Sequence, residues 1–245
     1  MVINITLLIV IGIITGYLTM RLFNILPVSW LTDYNESPNE KHAGKRIRFC
    51  PEGIVTSIIF CIVSVLLFIS FGLSPYIIIS YITVVALVII AISDIKYTII
   101  PDQFVVLVGI LAVIFILYDL LMHKNIYHTS YLSPIIGAVF GGGIIYLIGL
   151  IGKLLFKKDE AMGFGDVKLL FVAGLYFGSP GIFIVLLMTI LISGIYFSTL
   201  IIAKKTQKDE NKALGPHIVV ACILYITFYP QINRLIQAYM NLMIM

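Results

Sequence analysis

Two long stretches of this chain, residues 53–93 and 169–203, contain no charged side chain. An uncharged, mostly apolar run of 18 or more residues is long enough to cross the hydrocarbon core of a membrane as a helix. Charged residues make up only 11% of the sequence, whereas a soluble domain carries about 25%. No segment shows the alternating pattern of a transmembrane barrel strand. The sequence therefore predicts an all-α membrane protein.

Turn-forming residues divide the apolar stretches into eight predicted transmembrane helices. Gly72–Pro75 separates the second helix from the third, and Gly178–Gly181 separates the sixth from the seventh. Glycine adopts turn conformations readily, and proline cannot continue a helix. The predicted spans are residues 3–26, 53–72, 76–93, 102–121, 132–152, 165–178, 181–203 and 214–230. We therefore expect a polytopic bundle of about eight helices.

The basic residues predict how these helices are oriented. The loops after helices 1, 3, 5 and 7, with their flanks and Arg21, hold 14 of the 16 Lys and Arg residues, and only Lys124 and Arg234 fall opposite. Because Lys and Arg are enriched in cytoplasmic loops, both termini should lie outside the cytoplasm. Contact with anionic headgroups of the lipid bilayer accounts for the basic loops. The chain has no basic domain that would bind nucleic acid.

The N-terminal segment is expected to remain as the first helix, since it lacks the basic start and the small-residue cleavage site of a signal peptide. Residues 1–52 should form this helix and a short basic cytoplasmic loop, and residues 53–245 the main membrane-embedded domain. The three cysteines, Cys50, Cys61 and Cys222, form no CxxC pair. This argues against a structural zinc site and a disulfide framework. We predict neither a metal nor another cofactor.

Two segments place ionisable residues beside predicted spans, where such residues usually mark a function. Asp94 and Asp102 lie in AISDIKYTIIPD between helices 3 and 4, and Asp166 lies in MGFGDVK at the start of helix 6. The predicted topology puts both segments on the cytoplasmic face. Two facing carboxylates cannot both ionise cheaply, so one keeps its proton. The charged one can then take a proton from a water that attacks a peptide carbonyl, while the other stabilises the carbonyl oxygen.

Neighbouring residues offer support for such a pair. Gly163 and Gly165 leave the backbone before Asp166 without side chains, which admits another backbone; a plain turn into helix 6 is the alternative. Pro101 suits the first turn of helix 4. Asp102 by itself favours a structural role in the headgroup region, paired with the neighbouring Lys96 or capping the helix.

The segments AISDIKYTIIPD and MGFGDVKLL together resemble the type IV prepilin peptidases, the GxGD aspartyl proteases that process pilins and pseudopilins. The segment Leu214–His217 (Leu-Gly-Pro-His) resembles the family's Gly-Pro motif before its last helix. The resemblance implies an eight-helix membrane bundle in which Asp94 and Asp166 are catalytic. The residues expected to bind substrate or support the site are Gly163, Gly165, Lys168, Pro101, Asp102, Gly215 and Pro216.

The resemblance also implies a function and a location. Members of the family remove the short leader of type IV prepilin-like or pseudopilin precursors, cutting after a glycine at the cytoplasmic membrane face. The chain would then lie in the cytoplasmic (inner) membrane of a prokaryote, with these precursors as its protein partners. The sequence leaves the oligomeric state open.

The N-terminal part departs from the family's pattern. Full-length members carry paired CxxC motifs in a large cytoplasmic loop and a Gly-x-x-x-Asn signature in the first helix. Here Met20 follows Gly16 at that spacing, and the short loop at 27–52 holds only Cys50. The resemblance therefore implies the peptidase and leaves the family's N-methyltransferase activity without support.

Three other functions stay open at this point. Paired membrane carboxylates also serve ion or proton-coupled transporters, although such a transporter would show an inverted repeat and the sequence shows none. A presenilin-type or signal-peptide-peptidase-type GxGD protease would carry Tyr-Asp inside a span, whereas Ser93 precedes Asp94 here. A non-catalytic scaffold of a secretion system is the last alternative, which an activity assay can exclude.

Overall fold

The computed structural model describes residues 2–31, 52–124, 126–127, 130–156, 163–203 and 213–244 of the 245-residue chain. This described part is helical, with a 3₁₀ turn at Val28–Trp30 and no strand. The helices are α1 (Val2–Ile25), α2 (Ile54–Phe71), α3 (Pro75–Tyr97), α4 (Asp102–Met122), α5 (Ser133–Phe156), α6 (Phe164–Ile202) and α7 (Gly215–Ile244). The predicted all-α fold is confirmed.

The seven helices of the described residues are all long and apolar enough to cross a membrane. Their outward faces are apolar as well: Leu7 on α1 is 58% exposed, Ile69 on α2 63%, and Ile190 on α6 68%. Leaving so much apolar surface in water would be strongly unfavourable, so lipid must cover these faces. The chain is therefore a multi-pass membrane protein.

Helix α6 is too long to cross a membrane once as a straight rod. Its 39 residues would extend about 58 Å, nearly twice the ~30 Å of the hydrocarbon core. Helical geometry is interrupted at Gly178, whose φ of 69° lies in the left-handed region that favours glycine, and Pro180 follows. The break falls in the turn predicted at residues 178–181.

The chain reverses direction at this break. A methyl group placed on Gly141 of α5 would lie 2.5 Å from the carbonyl oxygen of Leu170 and 2.8 Å from Cγ1 of Ile182. In a straight helix those two residues would be separated by about 18 Å along the axis. Residues before and after the break therefore pack side by side on α5. With α6 counted as two antiparallel segments, the described residues form eight helical segments, which matches the predicted number.

The start of α5 stabilises this reversal. Ser133 is 1% exposed, and its hydroxyl oxygen accepts the backbone N–H of Ser179 at 3.1 Å. A backbone N–H left without a partner in lipid is costly, so Ser133 supplies the acceptor that the broken helix lacks. Gly137 and Gly174 approach so closely that a side chain on either would meet the backbone of the other. Small residues at such contacts are typical of packed membrane helices.

Helices α3 and α7 extend beyond their predicted ends, as does α5, which ends at Phe156 rather than at residue 152. Helix α3 ends at Tyr97 rather than at residue 93, because Thr98 is the first residue of this stretch with a positive φ, of 58°. Helix α7 continues through Pro230 to Ile244 rather than ending at residue 230, since proline is tolerated inside membrane helices. Because α3 is longer than predicted, Asp94, one of the candidate carboxylates, lies inside a helix rather than in a loop.

The described residues divide into two compact units. The first comprises α1, α2, the part of α3 up to Val85 and the part of α7 from Ile223. The second comprises the 3₁₀ turn, the rest of α3, α4, α5, α6 and the start of α7. All the predicted site residues belong to the second unit. The predicted division into residues 1–52 and 53–245 stays a prediction. The loop that precedes this boundary, residues 32–51, lies outside the described residues.

Glycines bring α1 and α2 together in the first unit. A methyl group on Gly12 would lie 2.6 Å from Cα of Cys61, and one on Gly16 would lie 2.5 Å from Cα of Ser57. Both distances are shorter than real side chains tolerate, so the two backbones are in direct contact. Glycines spaced four residues apart on one helix commonly allow this approach in membranes.

Candidate active site

Asp94 lies in the last turn of α3 and is 5% exposed. Its backbone carbonyl accepts the N–H of Thr98 at 2.9 Å, and Thr98 has a φ of 58°. A left-handed residue commonly ends a helix, but glycine is the usual choice. A β-branched residue in this conformation carries strain of about 1–3 kcal/mol. Such strain persists only where the surrounding structure fixes the backbone, which here is the connection from α3 to α4.

Ser93, the residue before Asp94, fastens this connection. Its hydroxyl donates to the carbonyl of Ile99 at 2.8 Å, and its side chain is fully buried. The carbonyl of Pro101 then accepts the backbone N–H groups of Phe104 and Val105 in the first turn of α4. The four residues 98–101 are thereby fixed beside Asp94. In the sequence, Ser93 served only to distinguish protease types; its hydroxyl side chain at a helix end was the signal for this second role.

Gly215, the first residue of α7, lies directly against Asp94. Its N–H lies close enough to the Asp94 side chain to stabilise negative charge there. An added methyl group would overlap Asp94 Oδ2 and lie 3.1 Å from its Cγ, so only glycine fits here. Pro216 stands in the first turn, where its missing N–H is not needed. The positive end of the α7 dipole therefore faces the Asp94 carboxylate.

Asp166 lies in the first turn of α6. Gly163 precedes the helix with extended backbone, and its carbonyl accepts the N–H of Asp166 at 3.2 Å. The carboxylates of Asp94 and Asp166 are close enough for their charges to repel each other. Oδ2 of Asp94 is buried and has no hydrogen-bond partner among the described residues. The fold thus brings together the two carboxylates that the sequence singled out. In the described part of the chain, no three His, Cys, Asp or Glu side chains form a metal-binding cluster.

The two glycines before Asp166 face different surroundings. Gly163 is exposed, and a methyl group there would lie 3.6 Å from Asp166 Oδ2, an ordinary contact distance. Gly165 is packed, because a methyl group there would lie 3.0 Å from Cβ of Ile100. The sequence suggested that both glycines admit another backbone. In the structure Gly163 leaves its surface open, whereas Gly165 faces a side chain from the α3–α4 connection.

Asp102 and Lys168 form an ion pair in the same unit. Nζ of Lys168 lies 2.8 Å from both carboxylate oxygens of Asp102, and the two side chains are 34% and 33% exposed. Lys168 also lies over the ring of Phe164, 5.3 Å from its centroid. Pairing with a lysine was one of the structural roles considered for Asp102, although the described pair involves Lys168 rather than Lys96. A pair this exposed contributes at most about 1 kcal/mol to stability.

A groove of about 420 Å³ opens between α4 and α6 beside this ion pair. Its walls are mainly apolar side chains, among them Val105 from α4 and Val167 and Phe171 from α6. Val167 directly follows Asp166 in the chain. The groove therefore places an apolar surface within about two helical turns of one candidate carboxylate.

His217, in the first turn of α7, has no role that was predicted from the sequence. It is 9% exposed and packs against the rings of Tyr196 and Phe197, with centroid distances of 4.9 and 5.2 Å. Its Nδ1 is buried without a hydrogen-bond partner among the described residues. This packing fastens the helix start that carries Gly215 to the second segment of α6. No sequence signal connects a histidine to an aromatic pair so distant in the chain.

Comparisons with known proteins agree with this arrangement of segments. The sequence model of the type IV leader peptidase family matches residues 81–198. Two curated proteins, each named "Prepilin leader peptidase/N-methyltransferase", from Aeromonas salmonicida and from its strain A449, are 30% identical to this chain over 102 residues. The match covers 42% of this chain and 35% of each relative, so the chain aligns with about a third of the length of these relatives. No solved structure matches.

The matched residues 81–198 include α4, α5, most of α3 and most of α6. They carry both candidate carboxylates, Asp94 and Asp166, and the Asp102–Lys168 pair. The sequence match therefore covers both candidate carboxylates, and residues 81–198 are similar to the type IV leader peptidase family.

Proposed function

We propose that this chain is an aspartic endopeptidase that removes the leader of type IV prepilin-like or pseudopilin precursors. The observation that carries the proposal is the meeting of Asp94 and Asp166, two carboxylates close enough to repel each other at two helix ends. The family match and the names of the two relatives support the same reaction class.

The two carboxylates act as one acid–base unit in this mechanism. Because they repel each other, they share one proton, and the pair titrates in two steps that belong to both groups. The charged member takes a proton from a water molecule as that water attacks the peptide carbonyl. The protonated member donates to the carbonyl oxygen, and a proton then passes to the leaving amine. The Gly215 N–H and the α7 dipole stabilise negative charge on Asp94.

The proposed substrate has a glycine before the scissile bond and an apolar helix after it. A peptide must be extended to be cut, because helical hydrogen bonds cover its carbonyls. Glycine before the cut weakens a helix by about 1 kcal/mol relative to alanine. It also lets the substrate backbone approach Asp166 over Gly163, which is exposed. Replacing that substrate glycine should lower the cleavage rate least with alanine, more with valine and most with phenylalanine.

We place the reaction at the cytoplasmic face of the inner membrane of a prokaryote. The asymmetry of 14 against 2 basic residues supports this orientation. A cysteine introduced at Lys124 should react with membrane-impermeant thiol reagents in intact cells, and one at Lys158, which lies outside the described residues, should not. The reverse labelling pattern would put the site on the other face.

The decisive experiment for the reaction is cleavage by the purified chain in lipid nanodiscs. A panel of prepilin and pseudopilin precursors is supplied, and the N-terminus of each product is sequenced. We expect one cut directly after the glycine that ends a short basic leader. Absence of cleavage across the panel, with folded protein shown by its circular dichroism, would contradict the proposal.

A further inference from the structure

One side chain, that of Ile100, occupies the space above two glycines that flank the carboxylate pair. A methyl group on Gly165 would lie 3.0 Å from Cβ, 3.3 Å from Cδ1 and 3.4 Å from Cγ1 of Ile100. A methyl group on Gly215 would lie 3.2 Å from Cδ1 of the same residue. Gly165 precedes Asp166 in the chain, and Gly215 lies against Asp94. Ile100 therefore touches the backbone positions next to both carboxylates.

The backbone around Ile100 is held from both sides. On one side, the Ser93 hydroxyl donates to the carbonyl of Ile99. On the other side, the next residue is Pro101, whose ring fixes its φ at −68°. Thr98 begins the connection in the left-handed conformation, with its N–H on the carbonyl of Asp94. A residue held in this way presents its side chain in one place. Ile100 is thus tied through the backbone to Asp94 and through its side chain to the start of α6.

We propose that Ile100 is a positioning residue that sets the separation of Asp94 and Asp166, an inference that rests on the proposed function. Its Cβ and Cγ1 hold the start of α6 at Gly165, and its Cδ1 holds the start of α7 at Gly215. The proton shared by two carboxylates, and the water between them, depend on that separation. A displacement of about 1 Å in such a constellation lowers a rate by up to about a hundredfold.

The shape of isoleucine allows its contacts to be removed in two steps. Ile100→Val removes Cδ1, its contact with Gly215 and one of its contacts with Gly165, and keeps Cβ and Cγ1 next to Gly165. Ile100→Ala removes Cγ1 as well and leaves Cβ alone. The matched control is Ile95→Ala: Ile95 directly follows Asp94 but is 67% exposed. The control removes the same atoms from an exposed residue that is even closer to Asp94 in sequence.

Steady-state cleavage of a precursor gives the first readout. We expect kcat to fall several-fold in Ile100→Val and by about tenfold to a hundredfold in Ile100→Ala, with KM unchanged in both. We also expect the pH profile of kcat to change in width, because the coupling between two carboxylates depends on their distance. Ile95→Ala should match the wild type in both respects. A general loss of folding would instead lower the active fraction, with no change in the pH profile.

Cross-linking gives a second readout that needs no catalysis. Asp94→Cys and Asp166→Cys are combined in a chain without its native cysteines and treated with thiol reagents of graded length. We expect Ile100→Ala to shift the length that links best, and Ile95→Ala to leave it unchanged. An unchanged length with Ile100→Ala overturns the positioning role, whatever happens to kcat. If the length shifts but the wild-type chain cuts no precursor, the positioning role stands and the peptidase proposal fails.

Discussion

Two pairs of glycines in this chain lie against close neighbours of different kinds. In α1, Gly12 and Gly16 face backbone atoms of α2. In the second unit, Gly165 faces Ile100, and Gly215 faces Ile100 and the carboxylate of Asp94. Gly12, Gly16 and Gly215 leave less than 3.0 Å for an added methyl group and Gly165 leaves 3.0 Å, so distance does not separate one pair from the other. The two pairs differ in the kind of atom that lies nearest to each glycine: backbone in the first pair and side chains in the second.

This difference separates stability from function. Side chains added at Gly12 or Gly16 would push two helices apart, because the nearest atoms they would meet belong to Phe60 and Cys61 or to Ser57 of α2. A side chain added at Gly215 would push on a candidate catalytic group instead. The first pair should therefore control how well the protein folds, and the second should control how fast the folded protein reacts.

The largest effect is expected at the carboxylates themselves. Asp94→Asn or Asp166→Asn should lower the cleavage rate by at least about a hundredfold, because asparagine can neither lose nor share a proton. The amount of protein in the membrane should stay unchanged.

Asp119 provides a control that is about as buried as Asp94. It is 3% exposed, and its carboxylate accepts the N–H of Ile126 at 3.2 and 3.1 Å. Asp119→Asn keeps an acceptor oxygen, so cleavage should persist with a small loss of thermal stability. Full cleavage by either of the two site variants would refute their assignment.

The next effect tests the comparison of glycines directly. Gly215→Ala should lower kcat by about tenfold or more while the thermal unfolding midpoint changes little, because Asp94 is displaced. Gly16→Ala should do the opposite: overpacking costs about 1–3 kcal/mol of stability, and the remaining folded protein should keep its kcat. Measuring kcat per folded molecule beside the unfolding midpoint separates the two cases. Equal patterns in both variants would remove the distinction between the two pairs.

A smaller effect is expected within the GxGD segment. Gly165→Ala meets Ile100 at 3.0 Å and should lower kcat several-fold, whereas Gly163→Ala meets only Asp166 Oδ2 at 3.6 Å. The Gly163 variant should therefore keep most of its activity on a substrate with glycine before the cut. It should lose more on a substrate with alanine there, since both methyl groups then meet the same surface. Equal kcat values for the two variants would mean that Ile100 moves aside to accommodate the added methyl group without affecting the reaction.

The smallest effect should come from the Asp102–Lys168 pair. Both side chains are about a third exposed, so Asp102→Asn or Lys168→Met should change the unfolding free energy by no more than about 1 kcal/mol. Cleavage should stay measurable in both variants, and the stability difference should shrink as salt is added. A loss of cleavage comparable to that of Asp166→Asn would move Asp102 into the acid–base machinery.

The sequence by itself determined the class of this protein and the number of its helical segments, and it singled out the two candidate carboxylates. Each of these depends on local chemistry. The length of an uncharged apolar run determines whether it can cross a membrane, and the glycine and proline at residues 178–181 determine where a helix must break. Asp94 and Asp166 were recognisable because ionisable residues are rare beside membrane spans and because their segments resemble a known family.

Only the tertiary structure decided which atoms each of these residues meets. The sequence does not indicate that Ile100 packs over Gly165 and Gly215, or that Ser93 fastens the loop beside Asp94. Such contacts join segments that are far apart in the chain, and they depend on how whole helices pack, at distances where a single methylene group matters. Hydrophobic patterns specify that helices pack together, but the shapes of the side chains between them specify how closely.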